Sequence, residues 1–176
     1  MCSSDLKNRF GSYKDIKIFG TNYKKMSLLR INPFSFPDDI HVLEHIDRLI
    51  EIFNVCWPMY AAMPAVLKDA VEHAYIAAGW NLENSECRYH DTHGNALYPS
   101  FIDVLNQINV VMDDSAYSSD SKGDYKGALC TRLKSLTNGL YGQIFTNDEL
   151  TAEELFDSNV IIDLSRTGSG ETKSLI

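Results

Sequence analysis

One stretch near the carboxyl end constrains the fold more than any other. Asn159-Val160-Ile161-Ile162-Asp163-Leu164-Ser165 runs straight into Arg166-Thr167-Gly168-Ser169-Gly170-Glu171-Thr172-Lys173-Ser174. The near-continuous branched apolar run predicts a buried strand of a parallel sheet. A glycine-rich turn ending in Lys-Ser, leaving such a strand, is the usual build of a nucleotide-binding α/β core. The apolar run at Leu175-Ile176 has no Gly or Pro to close it, so the chain is expected to be a piece of something larger.

The turn itself departs from a phosphate-binding loop. That loop needs Gly-x-x-x-x-Gly-Lys-[Ser/Thr]. With Lys173-Ser174 in place, its two glycines fall on Thr167 and Thr172, and Gly168 and Gly170 lie between them. A β-branched residue suits the tight second-glycine position poorly. The simpler expectation is a strand-to-helix turn, capped by Thr167 or Ser169.

Composition narrows the class. A chain of 176 residues that is 44% hydrophobic and 11% aromatic supports one core-bearing domain, with room for an appendage. The formal net charge of −8 argues against a free-standing nucleic-acid binder, because phosphate contacts need a basic surface. The amino-terminal thirty residues hold Lys7, Arg9, Lys14, Lys17, Lys24, Lys25 and Arg30 against Asp5 and Asp15. This strip reads as a solvated face or as an approach to a phosphate backbone. Cys2, Cys56, Cys87 and Cys130 are scattered without a Cys-x-x-Cys, which fits reduced thiols in the cytoplasm. The first twenty residues lack the apolar core of a signal peptide, and no stretch has the eighteen apolar residues of a membrane span.

The predicted order is strand, strand, four helices, strand. Residues 1–15 read as loop. Ile16–Phe19 and Leu28–Ile31 read as short strands, and Pro33–Pro37 as a rigid connector. Val42, Ile46, Leu49, Ile50, Phe53 and Trp57 recur at helical spacing up to Pro58. A second helix opens at Pro64 and stops at Gly79, and a third opens at Pro99 with Phe101, Val104, Leu105, Ile108 and Met112 inward. Residues 80–97 read as a polar loop and 113–124 as an acidic, Ser-rich turn. A fourth helix over roughly 124–139 turns Ala128, Leu129, Leu133 and Leu136 inward. Thr151-Ala152-Glu153-Glu154 is a capping box. The fold class expected is therefore α+β and mainly helical. A helical module over 38–140 is inserted between a sheet segment over 1–37 and a return to the sheet over 141–176, because the helical block is long for a simple crossover.

Several groupings could carry chemistry. His41-Val42-Leu43-Glu44-His45 has the His-x-x-Glu-His spacing of an inverted zinc-protease helix, but no further acidic ligand is signalled; its plain alternative is a polar stripe opposite the apolar face. Cys87, His90 and His93, with His73 as a conceivable fourth, could gather round a metal or belong to a surface loop. Arg132 sits on the fourth helix and faces solvent, a phosphate or a subunit. Arg166 follows a strand end, where ligands gather in open α/β sheets. With Lys173, these are the candidates for a nucleotide- or interface-directed role. No catalytic residue and no metal ligand set is assigned.

Taken together, Leu28–Phe34, His41–Leu49, Cys56–Pro64, Thr131–Gly139 and Val160–Arg166 resemble bacterial ATPases of the HerA/FtsK class, the helicase HerA-like or DUF87 ATP-binding proteins. The resemblance runs from about residue 13 to the end. It implies part of a RecA-like P-loop sheet, lying between an upstream Walker A loop and a downstream Walker B strand. Strand 159–165 resembles the one before Walker B and not Walker B itself, since Asp163 is followed by Leu164-Ser165 and not by a second carboxylate. Such a parent binds ATP and Mg²⁺, assembles with identical subunits as a hexameric ring, and moves or unwinds DNA. This chain, without either ATP-handling motif, is expected to need no cofactor and to be inactive alone. A free-standing helical interaction module is the competing expectation, and a zinc-dependent hydrolase a third.

Overall fold

A computed structural model of the protein describes residues 16–168 and 170–176, with only the backbone of Glu171. Cys2, Lys7, Arg9, Lys14, the loop expected over 1–15 and the capping role of Ser169 lie outside the described residues. Along the chain, β1 (Ile16–Gly20) and β2 (Ser27–Leu28) come first, then α1 (Val42–Cys56) and α2 (Met63–Ala77). A hairpin of β3 (Trp80–Asn81) and β4 (Glu86–Cys87) precedes α3 (Phe101–Asp114) and α4 (Ser119–Thr137). Two single-turn helices, α5 (Tyr141–Ile144) and α6 (Ala152–Leu155), lead to β5 (Asn159–Asp163) and α7 (Gly170–Leu175). The class is α+β, with helices far outweighing strands.

Strands β1, β2 and β5 form a wholly parallel sheet in the order β2-β1-β5. The register of β1 on β5 runs from Ile16 opposite Asn159 to Gly20 opposite Asp163, so both strands end at one level. β2 pairs only with the last two residues of β1, after a turn in which Lys25 N and Met26 N donate to Asn22 O at 3.0 and 3.2 Å. The second strand predicted over Leu28–Ile31 is thus shorter, and Ile31 forms a bridge to Phe145 instead. β5 is a strand as predicted, but it is not buried throughout: among the described residues it has one neighbour, and Ile162 is 45% exposed.

The helices follow their apolar spacing. Val42, Ile46, Leu49, Phe53 and Cys56 form the buried stripe of α1. Pro64 occupies the first turn of α2, where its missing N–H costs nothing, and Gly79 leaves that helix at φ +100°. Ser100 and Asp103 cap α3 reciprocally, and Thr151 and Glu154 do the same for α6. Helix α4 begins earlier than its periodicity suggests. Ser118 accepts from Ser121 N, and the first turns carry Ser, Asp, Lys and Gly with little apolar contrast to reveal them. The polar loop expected over 80–97 is instead a hairpin extended by a His90–Ala96 bridge. Its strands are too short for alternation to show, and Asn81 and Asp91 side chains close its turns.

The helical core centres on Phe34, which is fully buried and meets the rings of Phe53, Tyr75 and Phe101 at centroid distances of 6.5, 6.4 and 5.0 Å. The Tyr75 hydroxyl donates to the Phe34 carbonyl, and burial raises its pKa well above the usual phenol value. Helix α7 packs on α1 and adds Leu175 to this core.

The chain enters and leaves the helices at one place. Ile31 N donates to Ile144 O (2.8 Å), Thr146 N to Ile31 O (3.0 Å) and Leu150 N to Arg30 O (2.9 Å). Asn32 binds the two segments together. Its backbone N–H donates to Glu149 Oε2 (3.0 Å), its amide donates to Pro99 O (3.1 Å) and Asn147 Oδ1 (3.2 Å), and its Oδ1 accepts from Phe34 N (3.1 Å). Ser35 Oγ also donates to Glu149 Oε2 at 2.9 Å. Burial raises the Glu149 pKa against the opposing pull of these two donors. Adjacent ends of this kind let a long helical segment interrupt a sheet without prising its strands apart.

Candidate functional site

In open α/β sheets, ligands bind beyond the carboxyl ends of the strands. Here that edge is formed by Gly20-Thr21 after β1 and by Asp163 to Gly168 after β5. The two strand ends are tied by Thr21 N, which donates to Asp163 O at 3.2 Å. Gly20 is needed at this crossing: a Cβ there would lie 2.6 Å from the Asp163 carbonyl oxygen and would also strike Met26 Sδ.

Beyond β5 the chain folds back tightly. Ser165 N donates to Asp163 Oδ1 at 2.8 Å, which fixes the carboxylate over its own turn. Thr167 N donates to Leu164 O at 3.1 Å, and Gly168 N to the Tyr141 hydroxyl at 3.2 Å. The second contact joins the turn to α5. Thr21, Asp163 and Thr167 are buried, with exposures of 2%, 7% and 4%. Thr21 Oγ1, Asp163 Oδ2 and Thr167 Oγ1 have no hydrogen-bond partner.

The candidates named from sequence fall in two places. Arg166 is exposed in the turn after β5, and Lys173 is exposed on α7; neither forms an ion pair among the described residues. Arg132 lies on α4, half-buried, and its Nη1 is a buried nitrogen without a partner. Arg166 and Lys173 therefore belong to the strand–turn–helix unit, and Arg132 to the helical bundle. Thr172, at the second glycine position of a phosphate loop, is buried.

The residues of the possible zinc motif are occupied separately. His41 caps α1 by accepting from Leu43 N at 3.2 Å, Glu44 pairs with Arg48 at 2.5 Å, and His45 Nε2 hydrogen-bonds Pro33 O at 3.0 Å. Cys87 Sγ donates to Tyr89 O at 3.0 Å, and Asp91 organises the turn around His93 through Asn95. Among the described residues no three His, Cys, Asp or Glu gather as metal ligands.

His45 is instead a structural imidazole. Its ring sits 4.9 Å from that of Phe36, and burial lowers its pKa, the bond to Pro33 opposing and Arg48 adding to the shift. Folding thus favours the neutral ring. The associated stability is intact above the unfolded histidine value of about 6.5 and is lost as pH falls below it towards the depressed folded value. Urea unfolding across this range should show wild type losing stability more steeply than His45→Gln, which keeps an N–H donor but does not titrate. Glu149 contributes with the opposite sign, since its raised pKa favours the acid form, and it cancels in that comparison.

From the sequence alone Thr21 reads only as part of the Gly20-Thr21-Asn22 stop after the first strand, Asp163 as a strand residue that excludes Walker B, and Thr167 as a misfit or a cap. The available signal was a polar residue at each carboxyl end, Thr21 just after β1 and Asp163 as the last residue of β5. It becomes visible only once the register sets Gly20 opposite Asp163. No protein-family model matches the chain, and no curated protein or solved structure is significantly similar to it.

Proposed function

We propose that this chain is a segment of an ATP-driven, DNA-translocating motor of the HerA/FtsK class. In this reading β1, β2 and β5 belong to a larger RecA-like sheet, and ATP and Mg²⁺ are handled chiefly by a phosphate loop and paired carboxylates supplied by other parts of the protein. The observation that carries the proposal is the wholly parallel sheet whose outer strand, β5, leaves Ile162 exposed at 45%. Parallel sheets are normally covered on both faces and continued at their edges, so a branched apolar strand that pairs on one side only among the described residues suits an incomplete sheet. The strand–turn–helix unit of β5 and α7 and the clamped helical segment add support.

Arg166 and Lys173 stand exposed where a nucleotide or a neighbouring identical subunit of a ring would approach, and Arg132 is a second possible subunit contact. DNA would be a partner of the assembled ring and not of this acidic chain alone. Among the described residues no helix is long and apolar enough to cross a membrane.

Phosphoryl transfer depends on a phosphate cradle and a metal-holding carboxylate, correctly placed. The isolated chain should therefore hydrolyse no ATP in the presence of Mg²⁺, as measured by phosphate release. Hydrolysis at an appreciable rate would overturn the proposal. A helical interaction module is favoured by Val55 and Ile52, exposed at 79% and 41% on α1, and it too would be silent. The uninterrupted reading frame separates the two. A motor requires Gly-x-x-x-x-Gly-Lys-[Ser/Thr] upstream and a strand ending in paired carboxylates downstream; an interaction module requires neither.

A further inference from the structure

Unpartnered buried oxygens stand on Thr21, just after β1, on Asp163, the last residue of β5, and on Thr167, in the turn that follows β5. Buried polar atoms nearly always find a partner, and a buried carboxylate oxygen without one is strongly unfavourable. That all three lie on the residues at the sheet edge where α/β sheets bind ligands, with Thr21 N already bonded to Asp163 O, points to an occupant. Natural proteins keep such locally destabilising arrangements where function needs them.

The chemistry of the three atoms restricts what that occupant is. All are oxygens, and one belongs to a carboxylate. Asp163 is held by the bond from Ser165 N to Oδ1, so Oδ2 remains as the open acceptor. An anion would be repelled by this carboxylate. A soft metal would call for thiolate or imidazole, and no such cluster is present among the described residues. Hydroxyl and carboxylate oxygens suit a hard divalent cation, and Mg²⁺ in particular binds through one or two protein groups while keeping several waters. We propose that the carboxyl-terminal edge of β1 and β5 is a binding site for a Mg²⁺-class divalent cation. Asp163 Oδ2 supplies the charge, the hydroxyls of Thr21 and Thr167 are neutral ligands, and water completes the shell. The site uses only residues of this chain and needs no nucleotide, so it stands or falls separately from the motor proposal.

The test is paramagnetic broadening of amide NMR signals by Mn²⁺ added to the whole chain without nucleotide. Substoichiometric Mn²⁺ should selectively broaden the amides of Thr21, Ser165 and Thr167, and excess Mg²⁺ should restore them. Asp163→Asn, isosteric and still able to accept from Ser165, should abolish the effect. Thr21→Val and Thr167→Val should each weaken it. In metal-free buffer both valine variants should melt higher than wild type, because a methyl replaces a buried hydroxyl with no partner. If Asp163→Asn fails to fold, the wild-type titration and the valine variants still decide. The proposal fails if broadening is absent, if it centres on surface carboxylates such as Asp113 and Asp114, or if it persists undiminished in the variants. Valine variants that melt lower would also overturn it, since the hydroxyls would then be satisfied by buried water.

Discussion

Phe34→Ala should lower the unfolding free energy by about 3–5 kcal/mol, the usual loss for removing a buried aromatic ring. Phe34 lies outside any helix, yet its ring is fully buried among Phe53 of α1, Tyr75 of α2 and Phe101 of α3. Three helices therefore lose one shared contact, and none can close the cavity without leaving the others. The bond from the Tyr75 hydroxyl to the Phe34 carbonyl is to the backbone and survives the substitution, so the loss reports the ring. Urea unfolding should show a lower midpoint with an unchanged slope. A loss below about 1 kcal/mol would mean that the helices pack independently of this residue.

Asn32→Ala should be nearly as damaging, at about 3–4 kcal/mol. Three side-chain hydrogen bonds disappear, each worth about 1 kcal/mol net, and the Phe34 N–H and Pro99 carbonyl are left without their partner in a buried setting. The local consequence distinguishes it from the core substitution. Asn32 joins the segment entering the helices to the segment leaving them, so hydrogen exchange at the Thr146 and Leu150 amides should accelerate more than exchange within α3. Asn32→Asp keeps the acceptor for Phe34 N but removes the donor to Pro99 O and sets a second carboxylate beside Glu149. It should rescue little.

The legible parts of the fold were those that one local periodicity determines. Val42, Ile46, Leu49 and Phe53 mark α1, and Phe101, Val104, Ile108 and Met112 mark α3, because each stripe is buried by its own neighbours. Pro64 and Gly79 bracket α2 for backbone reasons that hold in any context. The hairpin of β3 and β4 left no trace, since two-residue strands carry no pattern. The first half of α4 was hidden because capping by Ser118 and exposure of Ser, Asp and Gly leave no apolar stripe. The branched run of β5 correctly signalled a strand, but its pairing on one side only among the described residues is a tertiary fact that no spacing encodes. At the carboxyl-terminal edge of the sheet, the glycine-rich stretch made the region visible, with Arg166 in the turn and Lys173 on α7. Thr21 and Asp163 are far apart in sequence, and their adjacency depends on the parallel register of β1 on β5.

Nucleotide turnover by the product of the uninterrupted reading frame is the most direct measurement of the motor proposal. With Mg²⁺ and double-stranded DNA, that protein should hydrolyse ATP faster than without DNA, while residues 1–176 alone release no phosphate under the same conditions. An uninterrupted product that neither hydrolyses ATP nor responds to DNA would contradict the proposal, and so would turnover by residues 1–176 alone.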